Sequence, residues 1–216
     1  MDIYVIDTET TGLDGATYGD KVLEIAICKV NPQKRTIKKV YESIVGHNTE
    51  EWNEYLSNAW VFGHSDLTLE MVSHGPPAEK IIKKVNKILK NKKVTAFNTA
   101  FDFNRFLDQD PWKIPYEERM PCIMKSATGP CGIERYDWHG LFQGYKWPNL
   151  NEAYYNLVKS EDGGKAHRAM ADCYKSAQVL LKLIQNNQYQ LEIKKGEKRK
   201  WHHKLKQLFK NTNQKA

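Results

Sequence analysis

The chain is poor in cysteine and has no long apolar run. Its four cysteines, Cys28, Cys122, Cys131 and Cys173, are widely spaced, which fits neither a CxxC zinc pattern nor a small disulfide scaffold. They are read as reduced thiols. No apolar stretch reaches the roughly 18 residues that a membrane span needs, and the opening Met1-Asp2-Ile3 lacks the basic segment of a secretory signal. These absences exclude a disulfide-stapled miniprotein and a helical membrane protein. The expectation is a soluble, intracellular, cytoplasmic protein with no membrane partner. A chain of 216 residues is long enough to bury one domain's core.

Positive charge is in excess, but only at one end. The formal net charge is +7. Residues 193–216 hold nine Lys or Arg against a single acid, Glu197, so the preceding residues together carry −1. The organisation expected is therefore a domain over residues 1–190 and a basic tail over 191–216. Within the tail Trp201, Leu205, Leu208 and Phe209 recur at near-helical spacing among the cations. Such a segment could grip a phosphate backbone, lie on a partner or simply be solvated.

The most informative segment is Ile3-Tyr4-Val5-Ile6-Asp7-Thr8-Glu9-Thr10-Thr11-Gly12-Leu13. Its apolar run suits a strand buried on both faces, and alternation puts Asp7 and Glu9 on one side, about 7 Å apart. Two such carboxylates are either solvated strand-end residues or a pair able to share a metal at the lip of the core. Val22 to Val30 and Lys38 to Val45 read as further strands, so an antiparallel meander is expected first. Ser65 offers a cap for a helix running to Val72, and Pro76-Pro77 marks a boundary. Ala78 to Leu89 is an amphipathic helix, and Val94 to Phe97 a short buried strand.

Asn98-Thr99-Ala100-Phe101-Asp102 then leads into a helix carrying Phe103, Phe106 and Leu107. Asp102 can be read as an acid favoured by the helix dipole, and Phe101 as a core aromatic or a surface for stacking a base. Cys122 to Ala127 reads as a strand turning into a helix, broken by Gly129-Pro130, Gly132 and Gly140. The aromatics Trp138, His139, Phe142, Tyr145 and Trp147 are left without assigned chemistry. Asn149 is expected to cap the next helix. Finally Gly163-Gly164-Lys165-Ala166-His167-Arg168-Ala169-Met170-Ala171-Asp172 runs into a helix through about Gln185. Within one regular helix His167 and Asp172 would be some 140° apart, so Asp172 is placed on the helix and His167 in the glycine-rich loop before it. A histidine there is either a satisfied surface residue or a mobile proton acceptor.

In order and spacing, the segments at Asp7–Leu13, Asn98–Asp102 and His167–Asp172 resemble the three motifs of the DEDDh exonuclease family, which includes the epsilon proofreading subunit of bacterial replicative polymerase, RNase T and oligoribonuclease. Phe62-Gly63-His64-Ser65-Asp66-Leu67-Thr68 and Gly75-Pro76-Pro77 are further weak matches between the motifs. The HxxxxD form of the last motif selects the h branch. The resemblance spans about residues 1–187 and implies an α/β, RNase H-like fold: a mixed sheet, antiparallel strands first and parallel ones after, flanked by helices.

The resemblance further implies two-metal-ion removal of nucleotides from a 3′ end. Asp7, Glu9, Asp102 and Asp172 would hold two divalent ions, Mg²⁺ or Mn²⁺, with His167 as general base. Thr8, Thr10, Leu13, Leu67, Asn98 and Phe101 would bind substrate, although core packing or turn formation is an equal reading for Leu13, Leu67 and Phe101. Single-stranded or frayed DNA is placed ahead of RNA, with an RNase T-like or oligoribonuclease-like RNA exonuclease as the alternative. A non-catalytic nucleic-acid or polymerase-binding module is the reading from another class. A homodimer or a polymerase partner is left open.

Overall fold

The apolar run at the N-terminus becomes the centre of the molecule. In the computed structural model, which describes residues 1–159 and 168–191, it forms β1 (Ile3–Thr10). β2 (Val22–Asn31) and β3 (Thr36–Ile44) follow as an antiparallel meander, while β4 (Lys93–Ala96) and β5 (Glu118–Arg119) add in parallel. The spatial order is β3-β2-β1-β4-β5. This is the mixed α/β, RNase H-like sheet expected.

Alternation along β1 and β2 divides the core between two faces. Ile3, Val5, Ala26, Cys28 and Val30 pack on one side, with α5 (Ile123–Cys131), α6 (Leu150–Val158) and α7 (Ala169–Gln185). Ile6, Ile25 and Ile27 pack on the other, against α4 (Ala78–Leu89) and a π-helix over Ala100–Leu107. The strand that carries the acidic motif is thereby clamped from both faces, and its carboxyl end is held rigidly. Three short helices, α1 (Glu54–Ser57), α2 (Trp60–His64) and α3 (Leu69–Ser73), lie between β3 and α4 in the chain. A separate hairpin, β6 (Glu134–Tyr136) with β7 (Phe142–Tyr145), sits between α5 and α6. Among the described residues no helix is long and apolar enough to cross a membrane.

Several local expectations are corrected. The helix after Ser65 begins only at Leu69, because Thr68 is the residue whose hydroxyl accepts the Met71 N–H at 3.1 Å. Ser65 instead closes α2, donating to Val61 O at 2.9 Å. Cys122 to Ala127 contains no strand, and α5 runs through Gly129 and Pro130 as far as Cys131, where Gly132 takes a left-handed φ of 60°. Pro130 is tolerated because it falls in the last turn, where little helix remains to be broken. The helix of the second motif is a π-helix: the Asp108 N–H reaches back five residues to Phe103 O at 2.8 Å. Asn149 does cap α6, in a reciprocal capping box with Glu152.

Leu67 is not at a surface where substrate could meet it. It is fully buried in a third cluster with Leu23, Ala59, Val61 and Val72. Leu67→Ala is therefore expected to act as a cavity mutation, destabilising by about 2–5 kcal/mol, with Tm falling by about 4 °C or more and KM for substrate unchanged in the surviving folded protein. Thermal melts and initial rates on the same preparation check this.

Candidate active site

The carboxyl ends of β1 and β4 are adjacent parallel strand ends, where open α/β sheets form ligand crevices. A cleft of about 200 Å³ lies there, lined by Asp7, Thr8 and Glu9 of β1, Phe97 and Asn98 after β4, Phe101 and Asp102 of the π-helix, Leu150 of α6 and Asp172 of α7. Residues separated by more than 160 positions are thus brought to one place. Asp7, Glu9, Asp102 and Asp172, four of the five residues singled out as catalytic, meet there. The fifth, His167, lies outside the described residues, as does the basic tail beyond Leu191.

Each acid is fixed by its own element. Thr8 points away from Asp7 and Glu9 by strand alternation and its hydroxyl donates to Asp102 Oδ1 at 2.9 Å, tying the first motif to the second. Asn98 O accepts the N–H groups of Phe101 and Asp102 at 2.9 and 3.1 Å, which starts the π-helix and aims Asp102. Asp172 lies 3.8 Å from the Nζ of buried Lys175 in the next turn of α7.

Electrostatically the cleft is a hole for positive charge. Burial pushes Asp7 well above the usual carboxylate range, with Asp102, Glu9, Asp172 and Glu24 adding repulsion. Glu9 is raised to about 8, by burial first and then by Asp172, Glu24 and Asp102. Asp102 is raised to about 7 by burial, against the hydrogen bond from Thr8. Asp7 and Glu9 keep some solvent contact, but enclosure by the protein still dominates their titration. Carboxylates in this state are stabilised as anions by a cation placed among them.

The donor set fits a hard divalent ion. The four acids offer only oxygen, and neither histidine nor cysteine lines the cleft among the described residues, which suits Mg²⁺ or Mn²⁺ rather than zinc. Among the described residues no three His, Cys, Asp or Glu side chains stand close enough together to hold a metal ion as they are placed.

Two features escaped sequence reasoning. Glu24, opposite Glu9 in the β1–β2 register, is 1% exposed and accepts from Arg168 Nη2 at 2.6 Å, from Arg168 Nε at 3.0 Å and from the Ala169 N–H at 2.9 Å. It thus anchors the start of the helix that presents Asp172. Its one sequence signal is a charge inside the apolar run Val22–Cys28. Asp20 organises the turn after the first motif: its carboxylate accepts the N–H groups of Asp14 and Gly15 at 2.8 and 2.9 Å and the Tyr55 hydroxyl at 2.9 Å. A Cβ on Gly12 would fall 2.4 Å from Asp20 Oδ1 and 2.1 Å from the Tyr55 oxygen, so a side chain there would displace the Asp20–Tyr55 pair that shapes the turn.

The other sequence-selected positions divide. Thr10 turns its hydroxyl to Gly12 O at 2.8 Å and so shapes the turn. Leu13 is 69% exposed, and its carbonyl accepts from Arg105, whose guanidinium lies 5.8 Å from the Phe101 ring centroid. Leu13 and Phe101 are thereby coupled beside the cleft. Leu67 does not join them.

Comparison with known proteins accords with this arrangement. The family described as Exonuclease, of the RNase T type, matches residues 4–180. The chain belongs to this exonuclease family. Its HxxxxD third motif places the exonuclease on the DEDDh branch. It is 28% identical over 176 residues, 78% of this chain and 80% of the relative, to the uncharacterized exonuclease CP81 of Escherichia phage 186. Its fold is shared by the nuclease domain of 3′hExo, a DEDDh family member solved with bound rAMP, at TM-score 0.60 and 15% identity, covering 89% of this chain and 96% of that one. E. coli Exonuclease I, solved with a dA16 oligonucleotide, also shares it, at TM-score 0.56 and 16% identity. There the match covers 84% of this exonuclease but only 40% of the other chain.

Proposed function

We propose that this exonuclease removes nucleoside monophosphates from the 3′ ends of single-stranded or frayed DNA by metal-dependent hydrolysis. The observation that carries the reading is the convergence of Asp7, Glu9, Asp102 and Asp172 on one cleft walled by Phe97, Asn98, Phe101 and Leu150. Once ionised, four carboxylates lining one cleft repel a phosphodiester unless cations neutralise them. When bound, two divalent ions held by these four carboxylates would polarise the attacking water and neutralise charge on the departing 3′ oxygen.

The chain's own groups supply the rest. Thr8 holds Asp102 in its rotamer, and Glu24 with Arg168 fixes the helix start that aims Asp172. Phe101 and Leu150 offer apolar contact to the terminal base, and the exposed Leu13 can wedge beside it. His167, adjacent in sequence to the anchored Arg168, would take the proton from the attacking water at an imidazole nitrogen.

An RNA substrate is the second reading, favoured by the rAMP bound to 3′hExo, just as dA16 on Exonuclease I favours DNA. Digestion of 5′-labelled single-stranded DNA and matched RNA with Mg²⁺ or Mn²⁺ separates the two. A ladder of shortening labelled products is expected, faster on DNA. Release of the labelled 5′ nucleotide first would reverse the polarity, and a faster ladder on RNA would reassign the substrate.

A further inference from the structure

The β6–β7 hairpin presents a row of aromatic side chains that the fold leaves uncovered. Trp138 is 88% exposed and Trp147 61%. Tyr136, Phe142 and Tyr145 are also exposed. Tyr136 and Phe142 are cross-strand partners with ring centroids 5.9 Å apart, and Tyr145 follows 5.7 Å from Phe142. An isolated two-stranded hairpin is marginal in water, and contiguous exposed apolar surface marks a place where something binds.

The hairpin is nevertheless shaped by polar bonds. Asp137 Oδ1 accepts the N–H groups of His139 and Leu141 at 3.0 and 2.9 Å, and its other oxygen accepts Gln143 Nε2 at 3.1 Å. The other acid of the hairpin, Glu134, accepts the Tyr136 hydroxyl. Both negative charges are therefore engaged within the hairpin. Its stem is tied to the cleft wall: Lys146 Nζ lies 2.6 Å from Glu152 Oε1 of α6, and Lys125 Nζ sits 5.1 Å from the Trp147 ring centroid. Trp147 precedes the cleft-lining Leu150 by three residues, so their Cα atoms are at most about 11 Å apart.

We propose that this hairpin is a stacking platform for the single strand of nucleic acid upstream of the 3′ end held in the cleft. The inference rests on the exonuclease reading and extends it to substrate length. Exposed aromatic rings in series, set edge to face at interplanar angles of 68° and 74° and with Lys125 and Arg135 close by, give bases strung on a phosphate backbone rings to pack against, and such contact tolerates any sequence. Strands of three and four residues give a narrow row rather than the roughly 800 Å² per partner of a stable protein interface.

The test combines Tyr136→Ala, Trp138→Ala and Phe142→Ala in one variant. Its affinity for a strand of about 16 nucleotides is measured in an Asp7→Asn background that does not consume the strand. Its rate on a trinucleotide is measured with Asp7 intact. The expected result is at least about tenfold weaker binding of the long strand with an unchanged trinucleotide rate. Unchanged long-strand affinity, or an equal loss on both lengths, would overturn the platform. If the triple variant abolishes self-association seen by sedimentation while long-strand affinity stays the same, the row belongs to a second copy, and the proposal fails. Failure of the parent protein to trim the trinucleotide would instead strike the exonuclease reading. Should the variant not fold, 5-iodouracil placed at successive upstream positions is photo-crosslinked to the unsubstituted hairpin. Adducts within residues 133–147 support the platform, and adducts confined to other segments contradict it.

Discussion

Asp7→Asn is expected to abolish nuclease activity while making the metal-free protein harder to melt. The two effects have one cause. Asp7 sits at the centre of the acidic cleft, pushed well above its ordinary titration range by burial and by Asp102, Glu9, Asp172 and Glu24. Replacing its carboxylate with an amide of the same shape removes repulsion that the folded chain tolerates only poorly without cations, so Tm in a chelator should rise by about 3 °C, or roughly 1 kcal/mol in a domain of this size. The same change deletes a ligand from the proposed metal site. A divalent ion contributes several kcal/mol to the charge that develops in phosphoryl cleavage, so the rate should fall at least about 10³-fold. Melts in chelator and single-turnover rates in Mg²⁺ check the two signs. A residue serving only the fold would lose stability and activity together.

The second large effect is a pH dependence that cations reverse. Glu9 and Asp102 have folded-state values of about 8 and about 7, against ordinary values of 4.5 and 3.8. Between those limits the native state holds protons that the unfolded chain has released. Stability from these groups is therefore fully present below about pH 4 and is lost as pH rises through about 7 to 8. In chelator, Tm should decline from about pH 5 to about pH 8.5, and the decline should be smaller in a Glu9→Gln/Asp102→Asn double variant. With saturating Mg²⁺ the ionised forms are preferred, so the gain from the metal should grow with pH. A metal-free Tm that rises over this range through the wild-type acids would contradict the raised titrations.

How much of this could be read in the chain beforehand depends on the range of the interactions involved. The acid pair of β1 was legible because an apolar run, strand alternation and a glycine turn are all local, and they place Asp7 and Glu9 on one side without help from elsewhere. Motif order added Asp102 and Asp172. The ion pair of Glu24 with Arg168 joins residues 144 positions apart, and nothing in either neighbourhood announces it beyond a charge inside the apolar run Val22–Cys28. Lys175 looks like a solvent-facing helix cation and is instead buried beside Asp172.

Leu67 shows the opposite error. Its place in a motif-like segment suggested a substrate contact, yet the short helices around it fold it into the core, an outcome of tertiary packing rather than of local pattern. In sequence the π-helix is indistinguishable from an ordinary helix, because Phe103, Phe106 and Leu107 satisfy a 3.6-residue period, and periodicity does not register one wide turn. The β6–β7 hairpin was obscured by its glycines. Gly140 and Gly144 adopt positive φ to make the turn and the strand irregularity, although they scan as breaks.

The central claim is that four carboxylates from distant segments form one site completed by divalent cations. The most direct test is a Mn²⁺ titration of the wild type and of Asp7→Asn near neutral pH, with free Mn²⁺ followed by its paramagnetic resonance signal. Two bound ions per wild-type chain and loss of binding in Asp7→Asn are expected. A wild-type protein that binds no Mn²⁺, or an Asp7→Asn protein that binds it equally well, would contradict it.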